Sequence, residues 1–341
     1  MDGSAVDMVL DEKGVCNFCH DAQRELKMAE QEKPNLDKRI KQIKSGGEYD
    51  CLLGLSGGVD SSTVLHNTVK LGLKPLCYTI DNGWNRGGES DENILRMVEK
   101  LKVPFFRYTI DLDKFRELQS AFMKAGLKNI EIPTDHILMA SAFEMAAKYK
   151  IKWILSGGNV ATESIMPPSW GYNARDLTHI KDVYKKMTGK RLKGLPLCGI
   201  WKWNFNRWVR KVKTFYLLDY LDYNREESIK MLEKEYGYKP YGEKHCESIF
   251  TWWFQNFYLY EIKNIDKRKA HYASLINSHQ MTRKEAMIKL QENPIYPHLG
   301  IEELVKTYKQ REHSEFAQDV KIWNFLCSVV KLGRKVKGFF V

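Results

Sequence analysis

The chain has 341 residues, 43% of them hydrophobic, and a formal charge of +11. That length holds one large domain or two, each with its own core, and no apolar run approaches the ~20 residues a membrane helix needs. The N-terminus is acidic without a signal peptide's apolar run, and seven scattered cysteines read as reduced thiols, so a cytoplasmic address is expected.

Residues 1–45 read as an N-terminal appendage, with Cys16-Asn17-Phe18-Cys19-His20 followed by a charged helical run from Asp21 to Ile43. Cys16 and Cys19 supply two zinc ligands of four, and two incidental cysteines in a turn explain the pair equally well. His20 stands too close to Cys19 to be a comfortable third.

Residues 46–165 alternate strands with helices. Strands are expected at Cys51–Leu55, Leu76–Ile80, Phe105–Ile110 and Trp153–Ser156, and helices at Asp91–Leu101, Asp113–Ala125 and Asp135–Lys150. This rhythm predicts an α/β fold, a parallel sheet with helices on both faces and ligands at the carboxyl ends of its strands. Three unusual loops fall at that rim: Ser56-Gly57-Gly58-Val59-Asp60-Ser61-Ser62, Asp81-Asn82-Gly83-Trp84 and Ser156-Gly157-Gly158-Asn159. The first joins a strand to a helix. Its glycines let backbone N–H groups approach a ligand, its serines add donors, and the helix N-terminus favours negative charge, so it is a phosphate cradle. It lacks the lysine and the spacing of the common G-x-x-x-x-G-K-[ST] loop. Asp81 and Asn82 suit a ribose or an adenine, or a simple Asn-Gly turn; Gly157, Gly158 and Asn159 suit the nucleotide's other flank.

Residues 166–341 turn basic, tryptophan-rich and mainly helical, and are expected to form a substrate or partner domain. Lys181 to Lys213 holds eleven basic residues and one acid, Asp182, and Ile200–Lys213 interleaves aromatics with cations. Such a strip stacks bases and neutralises RNA phosphates, receives an anionic sugar, or packs its tryptophans on the core with lysines outward. Lys244-His245-Cys246-Glu247 puts four chemically active side chains in a row.

The S-G-G-x-D-S pattern at Ser56–Ser61 resembles the loop of the ATP pyrophosphatase, or PP-loop, superfamily. With Gly14-Val-Cys-Asn-Phe-Cys19, Pro133-Thr134-Asp135-His136, Ser156–Glu163, Lys244–Glu247 and Asp266-Lys-Arg-Lys-Ala-His271 added, the whole chain resembles the N-acetyl sugar amidotransferases of surface-polysaccharide biosynthesis. The resemblance implies that ATP and Mg²⁺ bind at Ser56, Gly57, Gly58, Asp60, Ser61 and Ser62, with Asp60, Lys244 and His245 catalytic. It implies further that Asp135, Glu163, Lys202 and Glu247 face the sugar, whose acetamido group becomes acetamidino with release of AMP and pyrophosphate. No glutaminase motif is present, so a separate class I glutaminase subunit is the implied ammonia source. Relatives typically carry a second C-x-x-C upstream, and the sequence begins at Met1, about where that pair should end; Cys16 and Cys19 are thus two candidate Zn²⁺ ligands, with the start shortened, the site lost or other ligands completing it.

Two other readings compete. A PP-loop tRNA-modifying enzyme, a thiolase or lysidine-type ligase, suits the basic strip; thiolation needs cysteines at the nucleotide rim, whereas Cys51 and Cys77 fall inside strands. A nucleotide-binding module without turnover is disfavoured by the complete serine and aspartate set of the loop.

Overall fold

The computed structural model describes residues 1–84, 88–241 and 246–319. Its sheet comprises β1 (Cys51–Gly54), β2 (Pro75–Asp81), β3 (Phe105–Thr109), β4 (Trp153–Ser156) and β5 (Lys213–Tyr216). The order is β3-β2-β1-β4-β5, all parallel. Four of these strands fall within one residue of their expected bounds, because each is a short apolar run ended by a turn-forming loop.

Helices follow in chain order: α1 (Asn17–Glu32), α2 (Leu36–Ile43), α3 (Val59–Lys70), α4 (Glu89–Leu101), α5 (Leu112–Lys124) and α6 (Ile132–Lys148) come first. After them run α7 (Val160–Glu163), α8 (Leu177–Thr188), α9 (Ile200–Asn204), α10 (Arg225–Tyr236), α11 (Ile249–Trp253), α12 (Arg268–Asn277), α13 (Arg283–Lys289) and α14 (Glu302–Lys306). The run expected from Asp21 to Ile43 is broken by a short 3₁₀ turn, Lys33–Asn35, where Pro34 cannot donate an amide. Both sheet faces are covered. Leu52, Leu76 and Tyr78 point into the core shared with α5 and α6, while Cys51, Leu53 and Cys77 point into the core shared with α3 and α4. Truncating a fully buried side chain such as Leu53 to alanine costs about 2–5 kcal/mol.

Two expectations about organisation need correction. The sheet does not end before residue 165: β5 lies inside the basic aromatic strip and pairs with β4 from Trp153↔Lys213 to Ser156↔Tyr216, with Phe215 fully buried. Residues 1–45 are not a detached appendage, since Phe18 and Ala22 share a core with Phe250 and Trp253, and α1 lies against α7 and α12. The buried apolar side chains of this segment, Ala5, Cys16, Phe18, Ala22, Ile40 and Ile43, suffice because neighbouring elements supply the rest of both cores. No helix among the described residues is long and apolar enough to cross a membrane.

The chain runs from β1 outward to β2 and β3, then returns to the other side of β1 for β4 and β5. The strand order therefore reverses between β1 and β4. In open parallel sheets ligands bind outside the carboxyl ends of the strands at such a switch point.

Candidate active site

Ser56-Gly57-Gly58 leaves β1 at the switch point and runs into α3. Gly57 has φ +80°, and a Cβ there would lie 2.1 Å from the backbone oxygen of Ser90 on α4, so no other residue fits. The Gly58 amide donates to Ser56 Oγ at 3.2 Å, and Ser61 Oγ sits 3.2 Å from Ser56 Oγ while donating to the Gly58 carbonyl. The loop after β4 repeats the turn, with the Gly158 amide donating to Ser156 Oγ at 3.2 Å. A Cβ on Gly157 would come 3.1 Å from the Ser61 amide nitrogen, so the two glycine turns close on each other across the start of α3. Asp60, in the first turn of α3, accepts a hydrogen bond from the buried Tyr223 hydroxyl; burial and that carboxylate push the phenol far up.

A cavity of about 570 Å³ opens from this cradle over the strand ends. Of the residues expected at the site, Ser56, Asn82, Asp135, Gly157 and Glu247 line it. Gly57, Gly58, Asp60, Ser61 and Ser62 build the cradle beside Ser56. Glu247 reaches it from the C-terminal region: its Oε1 lies 3.3 Å from where a Cβ on Gly58 would stand, next to Tyr241 Oη at 3.2 Å. The Tyr241 hydroxyl is pushed far up by burial and by Glu247.

The charged part of the lining was not foreseen as a unit. Glu131, Arg175 and Lys267 join Asp135 there. Glu131 caps α6 and accepts a hydrogen bond from Thr251 Oγ1 of α11; Asp135 follows one turn later. Burial pushes the Glu131 carboxyl up, against the opposing pull of Lys267. Desolvation and the Glu131 charge push Asp135 up to about 7, with Lys267 pulling back, although its side chain opens into the cavity. His136 explains how Arg175 arrives. Its Nε2 accepts the Cys198 amide, so Nδ1 carries the proton and donates to the Ala174 carbonyl at 2.7 Å, fixing the loop that holds Arg175. Burial holds His136 down to about 4, which keeps it neutral. Lys267 is set by its neighbours, since Arg268 grips Asp266 with Nε at 3.0 Å and Nη2 at 2.8 Å in a buried fork. The sequence signal for Lys267 was the Asp266–His271 motif; Arg175 and Glu131 stood in no motif.

Other expected residues have different places. Asp81 is buried, accepting the Gly83 amide at 3.0 Å, beneath the exposed edge of the turn. Asn159 caps α7, its Oδ1 taking the Thr162 amide and hydroxyl, and Gly158 packs against Tyr216. Glu163 is exposed at the end of α7, outside the cavity lining. Lys202 lies on α9, outside the cavity lining; the expectation that it faces the ligand is corrected, because its Nζ pairs with Glu144 at 2.7 Å on the surface. In that strip Trp203 is buried while Trp201 is 86% exposed, so the tryptophans divide between core and surface. Lys244 and His245 lie outside the described residues.

A divalent cation carried with a nucleotide's phosphates fits the cradle, since Asp60 and Glu247 border it and Mg²⁺ uses one or two carboxylates plus phosphate oxygens. For zinc, Cys16 and Cys19 supply two ligands, their sulfurs 3.4 Å apart, while Cys19 Sγ accepts from Asn277 Nδ2 and His20 is turned to Asp11 at 2.8 Å. Among the described residues no third His, Cys, Asp or Glu completes a metal group there.

Residues 247–324 match the family model for the C-terminal domain of WbpG-like LPS biosynthesis proteins. That span supplies Glu247, Thr251, Asp266, Lys267 and Arg268 to the site just described. The uncharacterized protein MJ1599 of Methanocaldococcus jannaschii is 26% identical over 136 residues, 36% of this chain and 46% of that protein, so the chain spans about half the length of this curated relative. Among solved structures, NMN synthetase from Francisella tularensis is 13% identical, covering 74% of this chain and 95% of its own, with a TM-score of 0.32. The NH3-dependent NAD synthetase from Campylobacter jejuni is 18% identical, with coverages of 64% and 99% and a TM-score of 0.30. The U34-tRNA thiolase NcsA from Methanococcus maripaludis, with its 4Fe-4S cluster, is 12% identical, with coverages of 89% and 94% and a TM-score of 0.34. Residues 247–324 are thus similar to the C-terminal domain of WbpG-like LPS biosynthesis proteins, and they follow a parallel five-stranded sheet with the Ser56–Ser62 cradle at its switch point.

Proposed function

We propose that the protein is an ATP-dependent, AMP-forming amidotransferase that converts the acetamido group of an N-acetylated sugar, free or nucleotide-linked, into an acetamidino group. The observation that carries this reading is one cavity lined both by the phosphate cradle residue Ser56 and by Glu131, Asp135, Arg175 and Lys267. An adenylating enzyme needs that arrangement, a grip on the leaving pyrophosphate and polar positions for an acceptor facing the α-phosphate.

In the proposed reaction the acetamido oxygen attacks the α-phosphorus of ATP and the bond to pyrophosphate breaks. Gly58 and the first amides of α3 receive the phosphates, and Ser56 and Ser61 orient the turn that presents them. Tyr223 fixes the Asp60 carboxylate beside the cradle, and Mg²⁺ would neutralise phosphate charge there. Ammonia then attacks the activated carbon, and AMP leaves with the sugar's former amide oxygen. A separate class I glutaminase as ammonia source and a cytoplasmic address belong to the same proposal. Thiol transfer to tRNA is the weaker reading, because burial pushes Cys77 up to about 12 and Cys51 well above the ordinary thiol range, leaving both inert within strands.

The test is incubation of the full chain with ATP, an ammonium salt and a panel of diacetamido sugars. AMP, pyrophosphate and a product lighter by about one dalton, oxygen having been exchanged for NH, are the expected outcome. Release of ADP and orthophosphate would sink the proposal.

A further inference from the structure

We infer that Asp135, paired with Glu131 one helical turn before it, accepts the proton of ammonium at the cavity wall and so generates the ammonia nucleophile in place. This rests on the amidotransferase reading and gives a role to the carboxylate pair of the cavity lining.

The geometry comes first. Both carboxylates line the cavity from the N-terminal turn of α6, on one helix face, as their spacing of four requires. The same cavity is lined by Lys267 and Glu247 from the C-terminal region and by Arg175 from the loop before α8, and Lys267 acts electrostatically on both carboxylates. Glu131 is itself held by Thr251 Oγ1 and by its own amide, which donates to Asn129 Oδ1 at 3.0 Å. Asp135 is thus the more exposed member of a pair whose other member is buried and fixed.

Two close carboxylates do not both ionise readily, and the pair titrates as a unit shared with Lys267. Asp135, held at about 7, is a far better proton acceptor at neutral pH than an ordinary aspartate. Ammonium entering the cavity is a cation drawn to this pair. It gives one proton to Asp135 and keeps its lone pair for the activated carbon; the new C–N bond forms as the C–O bond to AMP breaks. The proton leaves through the open side of the cavity, and the amidinium product keeps its positive charge against Glu131. Atoms and charge balance without a redox partner.

The experiment compares the unsubstituted chain with Asp135→Asn, using ammonium chloride as the nitrogen source between about pH 6 and 9. Two rates are read: sugar-dependent exchange of labelled pyrophosphate into ATP, which needs only adenylation, and amidino-sugar formation. In Asp135→Asn the ratio of amination to exchange is expected to fall by about 100-fold near pH 7 and to recover as pH rises and free ammonia accumulates. Glu131→Gln should lower the pH at which amination reaches half its maximum, because the like charge that lifts Asp135 is gone. Equal loss of exchange and amination at every pH would overturn the inference, since Asp135 would then serve substrate binding or the fold. Absence of both rates in the unsubstituted chain would overturn the functional reading, and this inference with it.

Discussion

Two parts of the cavity's surroundings, the phosphate cradle and the cluster of charged residues, are built in opposite ways. The phosphate cradle comes from a single stretch, Ser56 to Ser62, whose internal hydrogen bonds fix its shape. The charged wall is assembled from Glu131 and Asp135 on α6, Arg175 in the loop before α8, and Lys267 at the start of α12, positions separated by up to 136 residues of chain. A local motif carries its own geometry, whereas a wall of distant residues depends on every element that brings them together. The first should fail abruptly on one substitution and the second by degrees.

The largest effect is expected at Gly57. In Gly57→Ala the new Cβ meets the Ser90 backbone at 2.1 Å and the residue must hold φ +80°, so α4 or the cradle has to move. Stability should fall by about 3 kcal/mol or more. Pyrophosphate exchange should vanish, measured beside thermal unfolding. Retained exchange would show that the cradle tolerates displacement and would break the contrast between the two parts.

Next comes the wall. Lys267→Met keeps the stem and removes one charge from a site with four others, so the cradle stays whole. Amidino-sugar formation should drop by about 10- to 100-fold while binding of ATP, followed by calorimetry, changes by less than about threefold. The same substitution also removes the charge that pulls Asp135 down, so the acid limb of the pH profile should move to higher pH. A matching loss in ATP binding would mean that Lys267 serves the phosphates.

A smaller, graded effect tests how the wall is held. His313 Nε2 accepts the Asn129 amide, so its Nδ1 donates to His179 Nε2 at 3.0 Å; Asn129 Oδ1 in turn holds the Glu131 amide. Both rings are buried, and burial holds His179 at about 4 and His313 at about 3, below the ordinary 6.5. Asp176 and Asp182 oppose that shift at His179, while Lys128 and Lys263 add to it at His313. Neutral rings therefore contribute stability that is complete above about pH 6.5 and is lost as pH falls from there towards about 4. The slope is at most ~1.4 kcal/mol per pH unit for each ring. Denaturant unfolding from about pH 7 to 4.5 should show a shallower fall in His313→Gln than in the unsubstituted chain.

This contrast also explains what the sequence disclosed. The strands, the cradle and the loop-bearing rim at the strands' carboxyl ends were legible because apolar runs and glycine turns are local signals, whereas the strand order that sets the switch point was not. Asp135 and Glu247 were found through motifs, but Glu131 and Arg175 were not, since their neighbours in sequence say nothing about His136, Asn129 or Thr251, which set them in place. β5 was missed because Lys-Thr-Phe-Tyr is four residues long and sits among cations that suggested a nucleic-acid surface. Lys202 was misplaced for the same reason: in sequence, its charge could not be told from one that faces a ligand.

The smallest effect is expected where a motif looked most informative. Cys16 and Cys19 sit in a turn with protein hydrogen bonds of its own. Asp11 Oδ1 takes the Lys13 and Val15 amides at 2.9 and 2.8 Å, and Asn277 Nδ2 reaches Cys19 Sγ from α12. Cys16 is buried beside Phe18, so it acts as a small apolar side chain. Replacing both cysteines with alanine should cost about 1–2 kcal/mol through lost packing, and a strong chelator should leave the thermal midpoint of the unsubstituted chain unchanged. A structural zinc site would give the opposite pattern. Its loss would remove most of the folding energy of the surrounding turn, and chelator and substitution would then act alike. Separating those two patterns decides whether the α1 end of the molecule is held by packing, as the cavity wall is, or by a local device, as the cradle is.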